Sequence, residues 1–369
     1  MAGAAVSSEE VLAVLRTVND PDLNRDIVSL GFVKDLQVDG EKVSFKVELT
    51  TPACPVKDQL QAECEQKVNS LDGVESVEVE MTAQVRGARQ MEQGAVLPGV
   101  KNVVAVASGK GGVGKSTTAV NLALALKRAG ATVGVLDADV YGPSMQMMLG
   151  IEDRTPNFTE NKRLVPWQAH GLSVMTIALL QDPDKPVIWR GPMVHGLLQQ
   201  FLRDVEWGEL DYLIIDLPPG TGDAQLSISQ QASISGAVIV TTPQDVSLLD
   251  ARKGLQTFRQ LKVPVLGIVE NMSYFVCGHC NERTEIFRHG GGRKTSEELE
   301  VSFLGEIPLD PQVVLGGDEG VPILARDPDS PVAKAYVEFA GKVAAQVSIA
   351  AEENAPSHPP IMPGKIDWK

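Results

Sequence analysis

The sequence predicts an α/β chain: a mainly parallel sheet covered by helices, preceded by a small α+β domain. Three observations carry this. From Lys101 onward, short apolar runs alternate with stretches of helical character, the pattern of a parallel sheet covered on both faces. The first run, Val103 to Ala107, leads into Gly109-Lys110-Gly111-Gly112-Val113-Gly114-Lys115-Ser116 and then a helical stretch from Thr117 that ends at Gly130. Before residue 86 the signals are different: two helical segments and alternating strands joined by hairpin chemistry.

Taken in order, Glu9 to Thr17 has the apolar spacing of a helix, and Asn19-Asp20-Pro21-Asp22 is a turn. Val33 to Val38 and Lys42 to Leu49 read as strands joined at Asp39-Gly40. Thr50 to Pro55 is a loop, Val56 to Val68 a helix, and Val74 to Met81 a third strand. Thr82 to Val100 has no clean period and reads as a connection. The expected boundaries are 1–85 for the small domain, 86–100 for the linker and 101–345 for the larger domain. Residues 346–369 are expected as a disordered tail, polar and rich in proline at Pro356, Pro359, Pro360 and Pro363. Within the larger domain, strands are expected at Thr132 to Leu136, Leu172 to Leu179, Val187-Ile188, Asp211 to Asp216, Ala237 to Thr242 and Val265 to Glu270. A helix is expected at Ser247 to Leu261.

Composition sets outer limits. The 369 residues suffice for two domains. A net charge of −15 argues against a nucleic-acid binder, which carries a basic field. No run approaches the ~20 apolar residues of a membrane helix. Met1 to Glu10 lacks the basic start and apolar core of a signal peptide, so a cytoplasmic location is the expectation. Four cysteines, Cys54, Cys64, Cys277 and Cys280, are too few for a disulfide scaffold in a chain this long.

Gly109 to Ser116 has the phosphate-loop spacing in the required strand–loop–helix setting. Its glycines let backbone N–H groups face phosphate oxygens, and the helix start adds positive charge. Lys115 is placed to reach the β- and γ-phosphates of a nucleotide, and Ser116 to hold Mg²⁺. The apolar run ending in Asp216 puts a carboxylate at the sheet edge near that cation. Pro218-Pro219-Gly220-Thr221-Gly222-Asp223 follows as a switch segment whose glycines permit rearrangement. Asp137 and Asp139 end another strand, where α/β folds bind ligands. The competing reading for one of these two is helix capping, and for Asn271 turn chemistry.

Cys277-Gly278-His279-Cys280 has three readings: half of a metal or cluster site, a dithiol redox pair, or a bystander pair. The redox reading wants a helix N-terminus, and Asn281-Glu282-Arg283 does not open one. A closed site needs four ligands, and two chains related by a two-fold axis would supply them. Four thiolates suit a [4Fe–4S] cluster or Zn²⁺. Cys54 precedes a helix, which would lower its pKa and favour thiolate; the other reading is a buried structural cysteine. Cys64 lies mid-helix and reads as structural.

Two resemblances follow from these residues. Asp20-Pro21, Leu30 to Val33, Thr50 to Pro55 and Gly73 to Val77 resemble the small domain of iron–sulfur assembly targeting factors. The set Gly109 to Ser116, Asp137 to Ser144, Trp189-Arg190-Gly191-Pro192, Asp216 to Asp223, Glu270 to Ser273, Cys277 and Cys280 resembles the Mrp-type iron–sulfur cluster carrier ATPases, P-loop NTPases of the MinD-like, deviant Walker A class. The resemblance implies ATP hydrolysis, a homodimer bridged by a [4Fe–4S] cluster on Cys277 and Cys280, and exchange with an assembly scaffold and apo iron–sulfur proteins. It also implies that Lys110 reaches the partner's phosphates, that Asp139 orients water, that Asp137 supports Mg²⁺ or the loop, that Thr117 joins the nucleotide site, and that Asn271 and Pro308 lie at the adenine. The Gly278-His279 spacer departs from the family's more usual proline-containing one, with the ligands unchanged. The rival of the same fold is a positioning ATPase without a cluster, which uses a basic face or a C-terminal amphipathic helix. A P-loop reductase is a third class, with its cluster cysteines far apart in sequence.

Overall fold

A computed structural model describes residues 6–87, 96–153, 155–180, 191–220, 225, 228–229 and 231–353. The expected strand at Val187-Ile188, Arg190, and Thr221, Gly222 and Asp223 of the switch segment lie outside the described residues, as do 354–369.

The first helix, Ser8–Leu15, starts at Ser7 because Ser7 and Glu10 cap each other: Glu10 N–H donates to Ser7 Oγ, and Ser7 N–H to Glu10 Oε2. Val33–Asp39 and Lys42–Leu49 pair antiparallel, and Ser76–Ala83 adds parallel to Lys42–Leu49. Alternation along Lys42–Leu49 buries Val43, Phe45, Val47 and Leu49. The helices close over that side with Val11, Leu15, Leu60 and Val68, which completes a separate small core.

The larger sheet has eight strands, in the order Trp167–Ala169, Leu172–Thr176, Val133–Asp137, Leu210–Asp216, Val100–Ser108, Gly236–Thr241, Val265–Glu270 and Phe303–Glu306. All neighbours are parallel except the first pair. Central strands are buried along their length except at Lys101 and Asp211 near their starts, which is why they read as apolar runs. In register, Asp216 lies beside Asp137, and Thr241 beside Glu270. The carboxyl ends of the strands therefore gather polar side chains at one edge, as open α/β sheets do at a ligand site.

The C-terminal boundary needs correction. The last helix spans Pro331–Glu353, past the expected end at residue 345, and buries Val347, Ser348 and Ala350. It packs along the phosphate-loop helix Lys115–Arg128 and the strands Val265–Glu270 and Phe303–Glu306. Apolar contact holds it helical into a segment whose later prolines suggested disorder.

The small domain meets the larger one through the loop at residues 51–55. Tyr212 Oη donates to Thr51 Oγ1 over 3.3 Å, and a Cβ on Gly341 would lie 3.0 Å from the Ala53 carbonyl. Arg86 adds an ion pair to Glu352 and lies over the Phe32 ring. Tyr212 is near the start of its strand, so this contact is at the end of the sheet opposite the phosphate loop.

Candidate functional site

Gly109 opens the loop where no side chain fits, since an added Cβ would sit 2.2 Å from the Asp250 backbone. Gly112 and Gly114 take φ values of +78° and +77°, left-handed geometry that favours glycine. Positions 111 and 112 have nothing within 4 Å of a Cβ, so the loop faces open space where phosphates fit. Ser108 Oγ donates to the Lys110 carbonyl at 2.9 Å and shapes the loop's start. The helix then begins at Lys115 with Gly114 as its N-cap.

Lys115 points into the sheet edge. Its Nζ is 2.6 Å from Asp216 Oδ1, 3.9 Å from Asp139 Oδ2 and 3.3 Å from Ser116 Oγ. Ser116 Oγ donates to Asp216 Oδ2 at 2.5 Å. Asp137 accepts from Thr176 Oγ1 and from the backbone N–H groups of Asp139, Ser144 and Met145. Burial, with Asp216 nearby, pushes Asp137 up to about 7. Burial also raises Asp216, against the pull of Lys115. Two buried carboxyls on neighbouring strand ends, one of them bonded to the Ser116 hydroxyl, form a hard oxygen donor set of the kind Mg²⁺ takes. Thr117 follows in the same first turn of the helix, its hydroxyl 3.8 Å from Met148 Sδ.

On the other side of the loop, Asn271 Nδ2 donates to the Val113 carbonyl at 2.9 Å. Pro308 is buried in the adjacent segment, where Ile307 N–H donates to the Glu270 carbonyl and Ser273 N–H to the Ile307 carbonyl. The structure thus brings Asn271 to the phosphate loop and ties the Pro308 segment to the residues on either side of Asn271. Pro219 and Gly220 follow Asp216, with Gly220 N–H donating to the Ser108 carbonyl. Gln225, which sequence reasoning passed over, donates its amide to the carbonyls of Pro218 and Gly220. Thr176 was also missed; a threonine ending a buried strand beside Asp137 was the available signal.

Cys277 and Cys280 sit at the tip of a small hairpin, Phe275–Val276 paired with Arg283–Thr284. Cys277 N–H donates to the Glu282 carbonyl, and Asn281 N–H to the Cys277 carbonyl. The backbone N–H groups of Cys280 and His279 hold the Cys277 thiol below its ordinary pKa. Such a turn presents two sulfurs outward from a strand loop. It differs from a helix N-terminus, where a redox pair of this spacing would stand. Cys277 is half-buried and Cys280 exposed. Among the described residues, no group of three or more His, Cys, Asp and Glu side chains comes together to hold a metal ion.

Cys54 corrects the expectation of a thiolate. Its pKa is pushed up to about 11, chiefly by burial, which outweighs the lowering by the Val56 N–H, with Asp22 and Asp20 adding a smaller upward push. The helix it precedes begins only at Lys57, with no side-chain cap. Cys64 is fully buried, as expected, and is pushed up to about 12.

Fold and site together define a P-loop NTPase whose sheet edge carries both a phosphate loop and a cysteine hairpin. The chain belongs to the family described as the NUBPL iron-transfer P-loop NTPases, whose model matches residues 99–344. A second family model, described as an iron–sulfur cluster assembly protein, matches residues 8–81. An iron–sulfur cluster carrier protein of Synechocystis sp. is 49% identical over 350 residues, covering 94% of this chain and 99% of its own. One from Deinococcus radiodurans is 48% identical over 355 residues, covering 96% and 100%. Among solved structures, a nucleotide-binding protein of Archaeoglobus fulgidus in complex with ADP superposes with a TM-score of 0.56 at 39% identity, covering 63% of this chain and 92% of its own. No helix among the described residues is long and apolar enough to cross a membrane.

Proposed function

We propose that this chain is an ATP-hydrolysing iron–sulfur cluster carrier that works as a homodimer, holding a [4Fe–4S] cluster as cargo and passing it to apo-proteins. The observation that carries the reading is the hairpin turn: two outward sulfurs, one of them already accepting backbone N–H groups, in a setting that offers no third ligand among the described residues. Two thiolates from each of two chains complete a cluster's four.

In this reading Gly109, Gly111, Gly112, Val113 and Gly114 turn backbone N–H groups to the phosphates. Lys115 exchanges Asp216 for the β- and γ-phosphates, and Lys110 reaches across to the partner's nucleotide. Ser116, Asp216 and Asp137 hold Mg²⁺, which neutralises phosphate charge. Asp139, beside Lys115, orients the attacking water, and Thr117, Asn271 and Pro308 complete the nucleotide pocket. Pro219, Gly220, Thr221, Gly222 and Asp223 form the segment that responds to the γ-phosphate. The small domain is an assembly-associated module that docks on the ATPase domain.

A transfer assay tests this. Reconstituted protein is mixed with an apo iron–sulfur enzyme, with and without Mg-ATP, and recovery of that enzyme's activity is followed. Wild type activates it, Cys277→Ala/Cys280→Ala does not, and Lys115→Ala loses the ATP dependence. Equal activation by all three would remove the carrier reading.

A further inference from the structure

Glu270 ends an apolar strand with a carboxylate that no solvent reaches. Its oxygens are taken up by one loop. Oε1 accepts Ser273 Oγ at 2.6 Å and Gly290 N–H at 3.1 Å, and Oε2 accepts Gly292 N–H at 2.5 Å. Gly290 is the N-cap of the helix Gly291–Glu298, so the anion also sits against a helix N-terminus. Between Ser273 and Gly290 lies the whole excursion that carries Cys277 and Cys280. One carboxylate therefore fastens both its ends. The next residue, Asn271, is held to the phosphate loop: its Nδ2 donates to the Val113 carbonyl, and a Cβ on Gly114 would lie 2.2 Å from that nitrogen.

We propose that Glu270 is a positioning residue that couples nucleotide occupancy to the geometry of the cysteine hairpin, by locking both ends of the hairpin segment to the strand end that contacts the phosphate loop. This rests on the carrier reading above and deepens it. Burying a charge only for stability is poor value, because an apolar side chain of similar volume fills such a site as well. What the carboxylate adds is direction. Three donors from two ends of one segment converge on one rigid group, so a shift at Asn271 reaches the hairpin without slack. Glu270→Gln keeps the volume but sets an amide donor against a backbone or hydroxyl donor, which breaks one tether, and leaves the others as weaker neutral hydrogen bonds.

The test uses the full-length protein without a cluster. Alkylation of Cys277 and Cys280 by iodoacetamide is timed by mass spectrometry with and without Mg-ADP, with buried Cys64 as an internal reference. In wild type, Mg-ADP changes the hairpin rate by about fivefold or more, the scale of ordinary site coupling. In Glu270→Gln the ADP affinity stays within about threefold, under 1 kcal/mol, while the rate change falls below about twofold. Ser273→Ala keeps the carboxylate, removes one tether and reduces the change to an intermediate value. A nucleotide effect in Glu270→Gln equal to wild type would overturn the proposal, as would no effect in wild type. If Glu270→Gln does not fold, Ser273→Ala decides: an unchanged effect overturns the proposal and a reduced one supports it. Loss of ADP binding or of iron binding in wild type would instead sink the carrier reading, whereas normal binding with a coupling indifferent to Glu270 sinks this one alone.

Discussion

Lys115 is 7% exposed, pairs directly with buried Asp216 and more distantly with Asp139, and its charge also favours the ionised form of buried Asp137. Lys115→Ala should therefore destabilise the nucleotide-free protein by about 3 kcal/mol in urea unfolding, besides abolishing nucleotide binding. Adding Asp216→Asn should restore most of the loss, because the orphaned charge is then gone. The penalty should be smaller at pH 5 than at pH 8, since a protonated carboxyl needs no counter-ion. A Lys115→Ala protein as stable as wild type at pH 8 would show that the pair is not a buried charge contact. Cys54 gives a second test at this scale. A thiol pushed up to about 11 has little thiolate at pH 8, so Cys54 should alkylate far more slowly than Cys277 and Cys280, and about tenfold faster for each added pH unit below 11. Cys54 reacting as fast as the hairpin pair at pH 8 would restore the thiolate reading. Residue identity announced the phosphate loop and the strand-end acids because spacing alone defines them. It could not announce the state of Cys54, which depends on burial and on Asp20 and Asp22 from another segment.

At the scale of elements, the phosphate loop and the Asn271 turn fit together without room for one more carbon. Gly114→Ala puts a Cβ on a residue at φ +77° and 2.2 Å from Asn271 Nδ2. We expect a loss of at least about tenfold in ADP affinity, the equivalent of ~1.4 kcal/mol, measured by fluorescent nucleotide titration. Unchanged affinity would mean the loop can move away from Asn271 at no cost. The central strands were legible as apolar runs because both their faces are buried. The edge strand Phe303–Glu306 and the cysteine hairpin were not, since they span four and two-plus-two residues and leave no period to read. The larger domain was ended too early, inside its last helix, for a related reason. Its buried face beyond residue 345 consists of Val347, Ser348 and Ala350, small side chains with a weak apolar signature. Glu270 repeats the pattern of Asp216, an acid closing an apolar strand, yet its partners come from a loop about twenty residues on and no spacing rule reports them.

At the scale of the whole molecule, the small domain and the nucleotide site occupy opposite ends of the sheet. Ala53 and Pro55 of the small domain pack on Gly341 of the last helix, flanking Cys54. Gly341→Leu should wedge this contact open and raise the Cys54 alkylation rate about tenfold or more, as local opening of a packed contact does, while leaving ADP affinity unchanged. A Cys54 rate equal to wild type would mean that its burial lies wholly inside the small domain. The proposed carrier unites two chains and one cargo: the hairpin of each would supply half of a shared cluster site. Native mass spectrometry of anaerobically reconstituted protein tests that most directly. The expected result is a dimer carrying about four irons and four sulfides per two chains, reverting to monomer and losing its iron in Cys277→Ala/Cys280→Ala. Iron bound in equal amount by the double variant, or a full cluster on a wild-type monomer, would contradict it.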